Sequence, residues 1–336
     1  MKRYFSGKLF AFLVLFTLCA AAVSGSEEAK IEGAKREGQL LWYTSINLTD
    51  ARDLVDRFQQ RYPFVRVNLY RAGGSQVVNR ILVEKQAGKS AFDVASTSGL
   101  AILKQRGLLQ AYPSSPDTEA LGPQNRDAGH FWYGFYALYY VVGYNTRMVS
   151  EAEVPRDWED LLRPRWKGGI VMDPDDYDWY GGFLEARGGE KGGQFARRLA
   201  QQGIQWRNNH ALITQLITAG EFPVGITYAH RVEAMKGRGA PVDWVKTLKP
   251  IIVGLTPVGI SADARNPNAA RLFLDFLISK PVQEEMPKMG RIPVRKDVDP
   301  FPGVSSAKLT THVIGEKVTL QLGRYAKEFR KIFSLE

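Results

Sequence analysis

The stretch Leu40–Gly99 constrains the chain most, because hydrophobic periodicity changes there in strict alternation. Leu40-Leu41-Trp42-Tyr43-Thr44-Ser45 reads as a short apolar strand with a polar end. Ala51, Leu54, Val55 and Phe58 then fall at i, i+3, i+4 and i+7, one face of an α-helix. Thr49 or Asn47 can cap that helix, Asp50 suits the positive end of its dipole, and Pro63 stops it. Val65–Leu69 alternates as a strand, Gly73-Gly74-Ser75 turns the chain, and Val77, Val78, Ile81 and Leu82 mark a second helix. Phe92–Ala95 is a third strand, followed by Ser96-Thr97-Ser98-Gly99 and a short helix with Leu100 and Leu103 apolar. Strands alternating with helices in this way predict a mainly parallel sheet covered by helices.

In open parallel sheets, ligands bind beyond the carboxyl ends of the strands. Here those ends are Tyr43-Thr44-Ser45, Gly73-Gly74-Ser75 and Ser96-Thr97-Ser98, each small or hydroxylic and each just before a helix. Any one of them is an ordinary cap or turn. Three on one edge make a candidate site, since helix N-termini offer free N–H groups to anions.

The second half repeats the logic. The aromatic, β-branched run Phe131–Asn145 predicts a long strand connecting two α/β units. Gly169–Met172 is a strand ending in Asp173-Pro174-Asp175-Asp176, and Ile204–Arg207 is one ending in Asn208-Asn209-His210. Val224–Thr227 ends in Tyr228-Ala229-His230-Arg231, Ile251–Leu255 reads as a return strand, and Asn268–Ser279 as an amphipathic helix. The expected division is a first lobe of 27–135 plus 256–336 and a second lobe of 136–255.

At the amino end, Lys2, Arg3 and Lys8 precede an apolar run, Leu9–Val23, and then Ser24-Gly25-Ser26. This is the pattern of a cleavable secretory signal peptide, residues 1–24. The only cysteine, Cys19, lies inside it behind Leu18, which is not the small residue that lipidation needs. Without the leader's three basic residues, the net charge falls from +10 to +7. Basic and acidic residues are interspersed and form no nucleic-acid arm, so no nucleic-acid partner is expected.

The ordered set Tyr43-Thr44-Ser45, Phe58…Tyr62-Pro63…Val65…Val67, Glu84…Gly88-Lys89…Asp93-Val94, Trp166-Lys167-Gly168, Gly220-Glu221…Pro223 and Ala269…Phe273-Leu274-Asp275-Phe276-Leu277 spans nearly the whole mature chain. It resembles the periplasmic ferric-ion and hexose-phosphate binding proteins of ABC importers, a branch of the type 2 periplasmic binding proteins. The resemblance implies a two-lobed α/β fold with mainly parallel sheets and a ligand cleft between the lobes. It also implies hinge closure, a periplasmic location, an ABC permease in the inner membrane as partner, and a monomer. Members that bind bare ferric ion use two adjacent tyrosines where this chain has Tyr228-Ala229. They also use a histidine where it has Asn47, and a glutamate where it has Thr97-Ser98. Hard ferric iron wants anionic oxygens, so no metal ligand and no cofactor is assigned.

The candidate ligand-binding residues are Thr44, Ser45, Ser75, Thr97 and Ser98 from one lobe. From the other they are Asp176, Trp179, Arg207, Asn208, Tyr228, His230 and Arg231. Hydroxyls and an arginine fork suit a small organic or phosphorylated anion. No catalytic residue is assigned: the four histidines have no HExxH spacing, and no GxSxG elbow or Walker loop occurs. The alternatives are a carrier of ferric iron or an iron complex, a receptor presenting its ligand to a sensor kinase, and a secreted hydrolase.

Overall fold

The computed structural model describes residues 27–89, 92–113 and 116–335. The expected signal peptide with its cleavage point, and Cys19, lie outside them. A helix over 27–37, α1, leads into β1 (Gln39–Thr44), α2 (Leu48–Arg61), β2 (Arg66–Arg71), α3 (Gly74–Gln86), β3 (Val94–Ser96), α4 (Leu100–Gln105) and β4 (Leu109–Gln110). The long β5 (Tyr133–Asn145) follows, then β6 (Ile170–Met172), α5 (Tyr177–Arg187), α6 (Gly189–Ala200), β7 (Gln205–Trp206), α7 (His210–Ala219), β8 (Val224–Tyr228) and α8 (Ala229–Lys236). The chain closes with β9 (Val242–Trp244), β10 (Ile251–Ser261), α9 (Pro267–Ile278), α10 (Lys280–Glu285), β11 (Thr311–Val313), α11 (Glu316–Leu320) and α12 (Leu322–Phe333).

The first unit forms as its periodicity predicts. β1 pairs parallel with β2 and with β3, and Ala51, Leu54 and Phe58 of α2 are buried. Of the two possible caps on α2, Asn47 is the one used: its side chain accepts from the Asp50 N–H at 2.9 Å, while Thr49 is already helical. Burial of Phe58 against Phe273 and Phe276 of α9, at 4.9 and 5.3 Å between ring centroids, ties the start of the chain to a segment two hundred residues away.

β5 and β10 join the two units. The strand order is β2-β1-β3-β10-β5-β8-β6-β7. The first half of β5, Tyr133–Tyr140, pairs antiparallel with β10, and its second half, Tyr140–Tyr144, with β8. β10 in turn pairs antiparallel with β3 through Val258–Ile260. The remaining strands of the second unit, β6, β7 and β8, are parallel to one another. The fold is therefore mixed α/β, with parallel ladders at both ends and two antiparallel crossovers between them.

The last residues do not stay with the first unit. β11 pairs with the start of β10, and α12 places Phe329 and Phe333 at 6.0 and 5.4 Å from the Trp206 ring. Tyr180 of α5 meets Phe329 at 5.9 Å. The expectation that all of 256–336 stays with the first lobe does not match this packing: β11 and α12 lie on the second unit, because an apolar α12 face needs the aromatic surface of α5 and β7, and α11 bridges the two, with Glu316 bonded to Lys104 of α4.

Candidate functional site

The strand ends surround a cleft of about 840 Å³. Ser45 follows β1, Gly74 and Ser75 open α3, and Ser98 follows β3; all four line it from the first unit. Tyr228 at the end of β8 and Asp178 in the first turn of α5 line it from the second. Between them, Tyr136, Leu138 and Gly254–Pro257 of β5 and β10 make the back wall. Ser75 and Ser98 are exposed, whereas Ser45 is half-buried with its N–H fixed on the Ser96 carbonyl at 3.0 Å. The first turn of α3 adds backbone N–H groups without helical acceptors.

Only four of the twelve sequence candidates reach this cleft: Ser45, Ser75, Ser98 and Tyr228. The other eight lie outside the cleft lining. Thr44 and Thr97 are fully buried; the Thr44 hydroxyl is bonded to Ser96 Oγ at 2.7 Å, and Thr97 donates to the Gly74 carbonyl at 3.3 Å. Trp179 is in the core, against Trp158 and Phe183. Asp176 is sealed behind the cleft, with His210 Nε2 3.0 Å from its Oδ1. Arg207 turns to the surface, where it lies over Phe222 and meets Glu221 at 3.4 Å; Asn208 beside it is exposed. His230 is buried and Arg231 exposed, both in the first turn of α8 and outside the cleft lining. Strand-end position alone misleads here, because alternate residues at a strand end point to opposite faces.

Sequence reasoning missed the polar chain behind Tyr228. The Tyr228 hydroxyl donates to Tyr140 Oη at 3.1 Å, and Tyr140 donates to both oxygens of Asp178 at 2.7 Å. Asp178 also accepts the Trp179 N–H at 2.8 Å. Tyr140 is hidden in an aromatic run whose composition says only strand. Asp178 stands in the acidic run Asp173–Asp178, which resembles no ion-binding loop. Burial and the nearby aspartates hold the Tyr140 and Tyr228 phenols well above their ordinary value, so both hydroxyls keep their protons. Burial also pushes Asp176 up to about 6, against the pull of His210.

The rim carries a second polar group. Lys104 of α4 bonds Asp127 and both carboxylate oxygens of Glu316 at 3.1 Å, and Trp132 Nε1 donates to Glu316 at 2.6 Å. Asp127, Trp132 and Glu316 all line the cleft. Among the described residues, no group of three or more His, Cys, Asp or Glu side chains is arranged to hold a metal ion.

His230, outside the lining, gives the fold a pH signature. Burial, then the charges of Arg231, Arg291 and His210, holds its imidazole well below the ordinary 6.5. The native state thus refuses a proton that the unfolded chain accepts. The stability this contributes is present above 6.5 and lost as pH falls toward the native value. Tyr228 stacks on the ring at 5.5 Å and Gly290 lies behind it, and neither offers an anion to offset the charge. The expected result is that the melting-temperature difference between wild type and His230→Gln becomes steadily less favourable to wild type below 6.5. A difference flat with pH would refute it. The His210–Asp176 pair works in the opposite sense, since both groups are raised, so the readout is the difference between the two proteins.

A family model described as bacterial extracellular solute-binding protein matches residues 53–312. An uncharacterized protein of Haemophilus influenzae is 27% identical over 281 residues, covering 80% of this chain and 79% of its own length. Iron-bound HitA from Pseudomonas aeruginosa has the same fold, with a TM-score of 0.73 at 19% identity over 88% of this chain and 99% of that one. So does the periplasmic binding protein AfuA from Actinobacillus pleuropneumoniae with fructose-6-phosphate bound, with a TM-score of 0.72 at 24% identity over 89% and 99%.

Proposed function

Because the chain belongs to the bacterial extracellular solute-binding proteins, which capture small ligands for ABC importers, we propose that its own ligand is a small organic anion of sugar-phosphate size. The observation that carries this reading is the convergence of Ser45, Ser75 and Ser98 with the N-terminus of α3 on one wall of an 840 Å³ cleft. Hydroxyls and free backbone N–H groups at a helix start are hydrogen-bond donors, and donors suit an anion better than a bare cation. A relative of the same fold with fructose-6-phosphate bound supports it. The protein works from the periplasm as a monomer, binds no nucleic acid and catalyses no reaction. Its lobes are 27–135 with 256–310, and 136–255 with 311–335. They close about β5 and β10, the strands shared by both.

The test begins with mass spectrometry of ligand released from the purified protein, then calorimetry with that ligand. Hydrogen bonds to a charged group contribute about 1.5–3 kcal/mol each. Ser75→Ala and Ser98→Ala should therefore each weaken binding by roughly one to two decades, while Arg231→Ala, outside the cleft, leaves it unchanged. A co-purified bare cation, or a neutral sugar, would overturn the anion reading.

One observation favours a ferric reading as the alternative. The Tyr140 and Tyr228 oxygens are 3.1 Å apart beside the Asp178 carboxylate, an oxygen donor set of the kind hard iron accepts. Both phenols are held protonated, which opposes it. In the same calorimetric series, ferric citrate should give no phenolate-to-iron absorption band. A strong band abolished by Tyr228→Phe would establish the ferric reading instead.

A further inference from the structure

We infer that Asp178, acting through Tyr140, fixes the Tyr228 oxygen as a hydrogen-bond acceptor at the cleft, so that the ligand must present a hydroxyl or ammonium donor there, opposite its anionic end. The inference rests on the reading of the cleft as the ligand site and adds to it the polarity of the second wall.

The argument is a count of protons. Burial raises the Asp178 carboxyl, while the Tyr140 hydroxyl and the Trp179 N–H that it accepts pull it back down and favour the ionised form, which accepts and cannot donate. Asp178 therefore takes the single proton of Tyr140, at 2.7 Å to each oxygen. The Tyr140 oxygen is left as an acceptor, and Tyr228 supplies its own single proton to it at 3.1 Å. Tyr228 then has only lone pairs to offer. Turning its proton toward an anion would set two phenol oxygens face to face at 3.1 Å with no proton between them, a repulsive contact in a half-buried setting.

The ring cannot swing to escape this. Tyr228 lies against His210 at 3.8 Å and against His230 at 5.5 Å between centroids, the second nearly parallel at 18°. Tyr140 packs on it edge-on at 4.9 Å. Two acceptors line the cleft from the same unit: Asp178 beside Tyr140, and Glu316, whose carboxylate already holds Lys104 and the Trp132 Nε1. The two walls are thus unlike. Serine hydroxyls and α3 N–H groups on one side suit the anionic head, and acceptors on the other suit the head's polyhydroxylated or aminated tail. A ligand anionic at both ends is disfavoured by the same arrangement.

Two probes of one carbon skeleton test this: glucitol 6-phosphate, whose tail is a hydroxyl, and 6-phosphogluconate, whose tail is a carboxylate. Calorimetry on the wild-type protein should show the hydroxyl-tailed probe bound at least about tenfold tighter. Asp178→Asn can donate its amide to Tyr140, which reverses the chain and frees the Tyr228 proton. Tyr140→Phe frees the same proton by removing its acceptor. Both variants should shrink the preference at least severalfold, a ratio that a merely loosened fold would not change. Equal binding of the two probes by wild type, or preference for the carboxylate, overturns the inference while leaving the anion site standing. An unchanged ratio in both folded variants overturns the role of Asp178. Failure of the wild-type protein to bind either probe, or inorganic phosphate, overturns the anion reading and this inference with it.

Discussion

Trp179→Ala should destabilise the protein by about 3–5 kcal/mol and leave the affinity of the folded fraction unchanged. Trp179 is fully buried, with its ring 5.5 Å from Trp158 and 5.4 Å from Phe183. Phe183 continues the stack to Phe195 of α6 at 4.8 Å. Truncation opens a cavity against the Trp158 and Phe183 rings, which are themselves fully buried. The indole Nε1 has no hydrogen-bond partner among the described residues, so none is lost, and the effect is that of packing alone. Trp179→Phe keeps most of the ring volume and should cost clearly less. Denaturant midpoints give the stabilities, and calorimetry below the transition gives the affinity. If Trp179→Phe kept its stability and lost the ligand, the residue would belong to the site after all.

That tryptophan marks the boundary of what the chain discloses before folding. Periodicity places the elements well: the α2 face of Ala51, Leu54 and Phe58 is buried as its spacing requires, and β5 emerges from the aromatic run over Phe131–Asn145. Periodicity also identifies which loops lie at strand ends, and so finds Ser45, Ser75 and Ser98 around one cleft. It does not say which of two neighbours turns outward. Thr44 and Thr97 adjoin Ser45 and Ser98, yet their hydroxyls are consumed by Ser96 and by the Gly74 carbonyl. Nor does it find a partner distant in the chain. Tyr140 and Asp178 meet Tyr228 only because β5 pairs with β8 and α5 starts beside them. The aromatic ring of Trp179 and the charge of Arg207 each suggested ligand contact. Burial decided the first and the nearby Glu221 and Phe222 the second.

Asp93→Ala should destabilise the fold by an amount comparable to Trp179→Ala, about 3–5 kcal/mol, through polar groups instead of packing. Its carboxylate is 2% exposed and is shared by three donors. One oxygen accepts the Leu41 N–H at 2.8 Å and the Asn266 side-chain amide at 3.0 Å; the other accepts the Asn266 N–H at 3.0 Å. One side chain thereby ties β1 to the start of α9. The Asp93 N–H on Leu41 and the Ser261 N–H on the Asp93 carbonyl, both 2.9 Å, complete the junction. Alanine leaves three part-buried donors without an acceptor, at about 1–3 kcal/mol for each group that water cannot reach. Asp93→Asn retains one acceptor oxygen and should cost about half as much, although its amide then faces the Asn266 amide. The consequence for function is indirect. Ser45 and Ser98 are hung from β1 and β3, whose own ladder, Trp42 with Val94 and Tyr43 with Ala95, does not depend on the carboxylate. The folded Asp93→Ala protein should therefore bind with near wild-type affinity but melt earlier, and added ligand should raise its melting temperature by mass action. Native stability in Asp93→Ala would mean that water replaces the carboxylate and that the junction is wetter than its 2% exposure implies.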